Sequence, residues 1–222
     1  MGFEAAALLL SQNNPKKDSA FLDIYFKPAI FSCGGSIITP SVVLTAAHCV
    51  EGTPKTLVKC VKEVIMHNSF DLETLSNDIA LVKLRIPFYI EESEGHIGAI
   101  CIPKKMFSIM NKVTVTGWGK ISANGPISAD MHAAVVPVKK DLICRRHNEG
   151  YNSQSMFCAG TSGKESCEGD SGSAAVQKIK GVFVQVGIVA FGYECVERPG
   201  TGFYTNVSKF SDWIENKLSI LL

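Results

Sequence analysis

Residues 164–175 read KESCEGDSGSAA, with an acid, a cysteine and a serine set between glycines. Small polar residues of this kind build ordinary turns, so the stretch alone does not separate a polar loop from one that presents a nucleophile. Two other stretches bear on the choice. In LTAAHC, His48 stands beside Cys49 at the end of an apolar run, and in NDIALVKL, Asp78 opens a run of otherwise apolar residues. Each has a bland reading by itself, as a packing histidine or a turn aspartate. Together with Ser171 they supply a nucleophile, a base and an orienting carboxylate.

That chemistry requires all three residue types. A serine hydroxyl is a weak nucleophile until a neighbouring imidazole takes its proton. The imidazole in turn needs a carboxylate to hold its tautomer and to stabilise the imidazolium. A glycine ahead of the serine lets main-chain N–H groups approach a developing oxyanion with no Cβ in the way, and the donors here would be Gly169 and Ser171.

Composition narrows the setting. The chain has 222 residues, 46% hydrophobic and 19% charged, with a net charge of +1. It reads as globular, long enough for one or two domains, with no basic run for nucleic acid and nothing that suggests a membrane surface. MGFEAAALLL has no basic region and only a short apolar stretch, which makes a poor signal peptide. The eight cysteines, Cys33, Cys49, Cys60, Cys101, Cys144, Cys158, Cys167 and Cys195, are spread out and never paired as CxxC. That spacing fits disulfides better than a metal site and implies an oxidising compartment. Asn206-Val-Ser208 is a sequon compatible with secretion.

Short apolar runs separated by Gly, Pro, Asn and Ser predict strands: AIFSCGGSIIT, SVVLTAAH, DIALVKL, KVTVTGWG, AAVVPV and VFVQVGIVAFG. The one convincing helix starts near Val207, with Phe210, Trp213, Ile214 and Leu218 at helical spacing. The polar CIPKKMFSIMNK, near residues 101–112, is the natural join between two halves.

The motifs CGGSII, LTAAHC, NDIAL, TGWG, MFCAG, GDSG and GFYTNV stand in the order, and His48, Asp78 and Ser171 in the sequence, of the trypsin-like serine proteases. The chain resembles that family from about Phe31 to Trp213. The resemblance implies an all-β fold: two antiparallel six-stranded β-barrels, residues 1–104 carrying His48 and Asp78 and residues 105–222 carrying Ser171, closed by a carboxyl-terminal α-helix. It implies a serine endopeptidase without metal or organic cofactor, secreted and monomeric, acting on protein or peptide substrates and bound by protein inhibitors. It implies the disulfides Cys33–Cys49, Cys144–Cys158 and Cys167–Cys195. Cys101 falls where relatives tether an amino-terminal segment, and Cys60 has no assigned partner, so a Cys60–Cys101 bond and two free thiols both stay open. The pocket would be floored by Glu165 and bounded by Ser166, Ala190, Phe191, Gly192 and Gly202, with Glu168 at the cleft edge disfavouring acidic substrate neighbours. A carboxylate in that slot favours basic side chains, and a Glu165 turned to solvent would leave a broad pocket instead.

Four departures accompany the resemblance. The family's activated amino terminus pairs with the Asp before the nucleophile, here Asp170, and the family's activation motif is not found. Between His48 and Asp78 about fifteen family residues are missing at VEGTPK, so the first barrel is expected to be short of a strand and to expose edges. Ser173 follows Gly172 where a glycine is usual, which requires its φ to be negative. Ala190 and Phe191 replace Ser and Trp, and the lost Ser hydroxyl removes one donor from Asp78. The alternative reading is a non-catalytic or zymogen-like homologue serving as a binding or regulatory protein, and a truncated or mis-spliced form fits the departures as well.

Overall fold

The structure, a computed structural model, describes residues 5–11, 14–25, 32–52, 61–122, 125–128, 130–161, 166–192 and 200–222. Each predicted apolar run in these stretches forms a strand. The first six strands are β1 (Ala5–Ser11), β2 (Asn14–Tyr25), β3 (Ser32–Thr39), β4 (Val42–Thr45), β5 (Val61–Met66) and β6 (Ala80–Leu84). They make one antiparallel sheet in the order β1-β2-β3-β4-β6-β5. The second sheet holds β7 (Lys112–Gly117), β8 (His132–Pro137), β9 (Met156–Ala159), β10 (Ala174–Ile179), β11 (Val182–Gly192) and β12 (Gly202–Asn206), in the order β8-β7-β10-β11-β12-β9. Two six-stranded antiparallel sheets followed by a helix are the all-β chymotrypsin-type architecture that the sequence implied.

The first sheet reaches six strands through β1. It pairs antiparallel with β2, Ala5 opposite Ile24 and Leu8 opposite Phe21, on the side of β2 away from β3. The stretch thought to lack a strand, VEGTPK, runs mostly through residues 53–60, outside the described residues. Hydrophobic burial follows the pattern expected of strands covered on both faces, for β4 is buried at all four positions.

The carboxyl-terminal segment begins with a 3₁₀ turn, Val207–Phe210, and continues as α2 (Ser211–Leu221). Its apolar face does not pack on the nearby second sheet alone. Phe210, Ile214 and Leu221 join Val42, Leu44, Leu81 and Val82 in the first core, so the helix straps the chain end back onto the half carrying His48 and Asp78. The second core gathers Val113, Val115, Val136, Phe157, Val186, Val189 and Tyr204. A short helix that apolar periodicity did not reveal, α1 (Asp141–His147), is seven residues long. It is held by the Cys144–Cys158 disulfide to β9, a covalent tie that replaces the apolar stripe a longer helix would need.

Candidate active site

His48 and Asp78 meet because two adjacent strands end together. β4 and β6 are antiparallel neighbours with Thr45 opposite Ala80, so the residues just past Thr45 and just before Ala80 share one sheet end. The turn into β6 is tight: Asn77 adopts φ 56°, a conformation asparagine accepts better than most residues, and its side chain bonds Ser69 O at 2.8 Å. The Cys33–Cys49 disulfide fixes the residue after His48 to β3.

The Asp78 side chain has no exposure to solvent. Its Oδ2 accepts from His48 Nδ1 at 2.6 Å and its Oδ1 from the His48 main-chain N–H at 2.9 Å. Nδ1 therefore carries the proton, leaving Nε2 as the ring's proton acceptor. Ala190, 2% exposed, contributes no hydroxyl where the resemblance placed one. The Asp78 carbonyl instead receives the hydroxyl of Thr205, on β12 of the other sheet, at 2.7 Å. Thr205 was quoted within GFYTNV, but nothing in the sequence pairs it with a residue 127 positions away.

Ser171 lies in the turn that enters β10. Its carbonyl accepts from Gly34 N–H of β3 at 2.7 Å, joining the loop directly to the first sheet. Gly34 O in turn accepts from Thr45 Oγ1 at 2.8 Å. Gly172 has φ +80°, and a Cβ there would stand 2.3 Å from Gly34 O, so no other residue fits without moving backbone. Ser173 has no positive φ and packs, 2% exposed, against the open face of Gly34, which is how a serine occupies this place. Among the described residues Ser171 Oγ makes no hydrogen bond to His48, whose Nε2 lies 3.7 Å from Cys49 Sγ. Contacts between nucleophile and base are often loose before substrate enters.

Gly169, buried, has φ +97° and lies against Gly119 and Ile127. Between Gly169 and Ser171, Asp170 turns inward over Gly117 and Gly119, whose missing Cβ atoms leave room for its carboxylate. It accepts from Gly119 N–H at 2.8 Å and Cys167 N–H at 2.9 Å. Burial raises its pKa above the ordinary carboxylate range, against the opposing pull of those N–H groups and of His132. No ion pair reaches Asp170 among the described residues.

Around the pocket, Gly192 and Gly202 are cross-strand partners on β11 and β12. Ser166, buried, sits across from both and donates to Tyr204 Oη at 3.3 Å. Phe191 stacks on Phe203 with ring centres 4.7 Å apart. Glu165 and Cys195 lie outside the described residues, as does Cys60. Cys167 is disulfide-bonded, while Cys101 is an exposed free thiol, which excludes a Cys60–Cys101 bond. Glu168 is paired with Lys120, which the motifs did not single out. Cys33, His48 and Cys49 bring three potential metal ligands together, but the two sulfurs are spent on the disulfide.

A buried carboxylate orienting an imidazole, beside a glycine-bounded serine turn between two antiparallel sheets, defines the class of chymotrypsin-fold serine proteases. Residues 14–214 match the Trypsin family, and the chain belongs to it. Atlantic salmon (Salmo salar) Trypsin-3 is 31% identical over 92% of this chain and 90% of its own length. U21-ctenitoxin-Pn1a of Phoneutria nigriventer is 30% identical over 85% of this chain and 89% of its own. Rat (Rattus norvegicus) Transmembrane protease serine 11G is 31% identical over 86% of this chain, which spans 50% of that relative's length. Among the described residues no helix is long and apolar enough to cross a membrane.

Proposed function

We propose that this chain is a serine endopeptidase working through an acyl-enzyme, residues 1–104 contributing His48 and Asp78 and residues 105–222 contributing Ser171. The observation that carries the reading is the buried Asp78 carboxylate with its two bonds to His48. Ser171 Oγ attacks the scissile carbonyl carbon as His48 Nε2 takes its proton. The oxyanion is received by the N–H groups of Gly169 and Ser171, and the imidazolium then protonates the departing amine. Water, deprotonated by the same imidazole, attacks the ester carbon, the bond to Ser171 Oγ breaks, and the imidazolium returns the proton to that oxygen. By the resemblance, the preference is for basic side chains, with Glu165 as the expected pocket floor and Gly192 and Gly202 leaving the walls open. Secretion and a monomeric state belong to the proposal, the first of them supported by the cysteine usage. Cys101, exposed and free, is available as a tether to an amino-terminal segment.

A second reading, a non-catalytic or zymogen-like homologue, is favoured by the absence of a Ser171–His48 bond and by Asp170 lacking an ion pair among the described residues. Labelling with a fluorophosphonate separates the two: wild type is expected to label, Ser171→Ala not. A folded wild type that fails to label refutes the enzyme. Peptides ending in Arg, Lys, Phe or Leu before the scissile bond test the pocket, and fastest cleavage after Phe or Leu refutes basic preference.

A further inference from the structure

The strand end of β7 and the loop before Ser171 are joined by a charged pair that none of the motifs contains. Lys120 Nζ lies 2.5 Å from Glu168 Oε2, and Lys120 N–H donates to Glu168 O at 2.9 Å. One residue thus holds both the side chain and the main chain of another 48 positions away. Lys120 is also bridged antiparallel to Ile127, whose Cγ1 would touch a Cβ on Gly169 at 3.6 Å. The Lys120 side chain is 25% exposed and that of Glu168 57%, and Glu168 directly precedes Gly169, the proposed oxyanion donor.

The main-chain bond has a geometric consequence. Glu168 C=O and Gly169 N–H belong to one planar trans peptide, so turning the carbonyl toward Lys120 turns the N–H the opposite way. The side-chain bond has an electrostatic one. A half-exposed ion pair adds little to stability, but it cancels a carboxylate that would otherwise face incoming substrate. Two like charges about 6 Å apart at an effective dielectric near that of water differ enough from a neutral pair to change a rate constant about threefold.

We infer that Lys120 is a specificity-determining residue: it neutralises Glu168 and draws it aside, so that the cleft tolerates acidic residues next to the scissile bond. The inference rests on the protease reading and revises the expectation that Glu168 repels such residues. The test is kcat/KM for peptides carrying Asp or Asn at each of the two positions flanking the scissile bond, in wild type, Lys120→Met, Glu168→Gln and the double variant. Wild type is expected to show an Asp-to-Asn ratio near one. Lys120→Met should lower that ratio about threefold, Glu168→Gln should raise it by a similar factor, and the double variant should return it toward the wild-type value. An unchanged ratio in Lys120→Met, or a lowered ratio that persists in the double variant, overturns the inference. Should Lys120→Met fold too poorly to turn over, Glu168→Gln decides, and an unchanged ratio there overturns it equally. Wild type that neither cleaves nor labels with fluorophosphonate removes the protease reading itself, an outcome distinct from active enzyme with unaltered ratios.

Discussion

Replacing Thr205 by valine tests how the two sheets cooperate on one carboxylate. The threonine is fully buried on β12, and its hydroxyl donates at 2.7 Å to the main-chain carbonyl of Asp78, which has no solvent exposure. Valine preserves the branched shape, so packing is nearly unchanged and the carbonyl alone loses its partner. An acceptor left buried and unpaired costs about 1–3 kcal/mol. In a chain of this size each kcal/mol corresponds to about 2–4 °C in Tm, so a fall of about 6 °C is expected. Because the same carbonyl sets the backbone carrying the His48 acceptor, kcat should fall as well, with KM little changed. Thr205→Ser, which keeps the donor, should recover most of both losses. Thermal denaturation and steady-state kinetics on the three proteins decide the matter. A Tm within about 1 °C of wild type for Thr205→Val, or a loss equal in Thr205→Ser, would refute the reasoning, since the hydroxyl would then carry no weight.

Three further perturbations follow from the same geometry. Gly172→Ala places a Cβ 2.3 Å from Gly34 O at φ +80°, and that oxygen is itself held by Thr45 Oγ1, so a loss of more than about 3 kcal/mol and poor recovery of folded protein are expected; a Tm within about 3 °C of wild type refutes this. Ala190→Ser restores the hydroxyl that the family places beside Asp78 and is expected to raise kcat/KM by up to about tenfold; a decrease counts against the donor argument. Burial raises the Asp170 pKa, so the native state holds this proton more tightly than the unfolded chain, and the stability contributed is present at low pH and declines as pH rises above 3.8 through the raised value. The wild-type-minus-Asp170→Asn difference in Tm should therefore fall over that window, and a rising difference would mean that ionised Asp170 has gained a cation.

The parts of this molecule legible in the sequence are those in which function and fold use local pattern. β11 covers the run VFVQVGIVAFG from end to end, because continuous β-branched residues bounded by turn formers leave few alternatives. His48 and Asp78 were legible for a related reason: each sits at the edge of an apolar strand, where a polar residue has to be explained. The helix at the chain end was visible through Phe210, Ile214 and Leu218, but its destination was not. Helical spacing shows that a face is apolar without saying which core receives it, and here the first sheet does.

Contacts between distant polar residues are where reading along the chain stops. α1 lacks a long apolar stripe and depends on a disulfide. Thr205 and Lys120 look like ordinary strand and turn residues until the fold brings each to a carbonyl far away in sequence. The two do comparable work at opposite ends of the candidate machinery. Thr205 reaches from the second sheet to fix the backbone of Asp78, and Lys120 reaches across to the peptide that carries the Gly169 N–H. Gly34 adds the third tie, from the first sheet to the carbonyl of Ser171. The candidate orienting carboxylate, nucleophile and oxyanion donor are thus each held through a main-chain carbonyl by a residue distant in sequence. A motif search finds the three groups, but their relative positions depend on ties that no motif encodes. For this chain, whose Asp78 has lost a side-chain donor at Ala190, those ties are the more direct measure of whether the constellation can act as one.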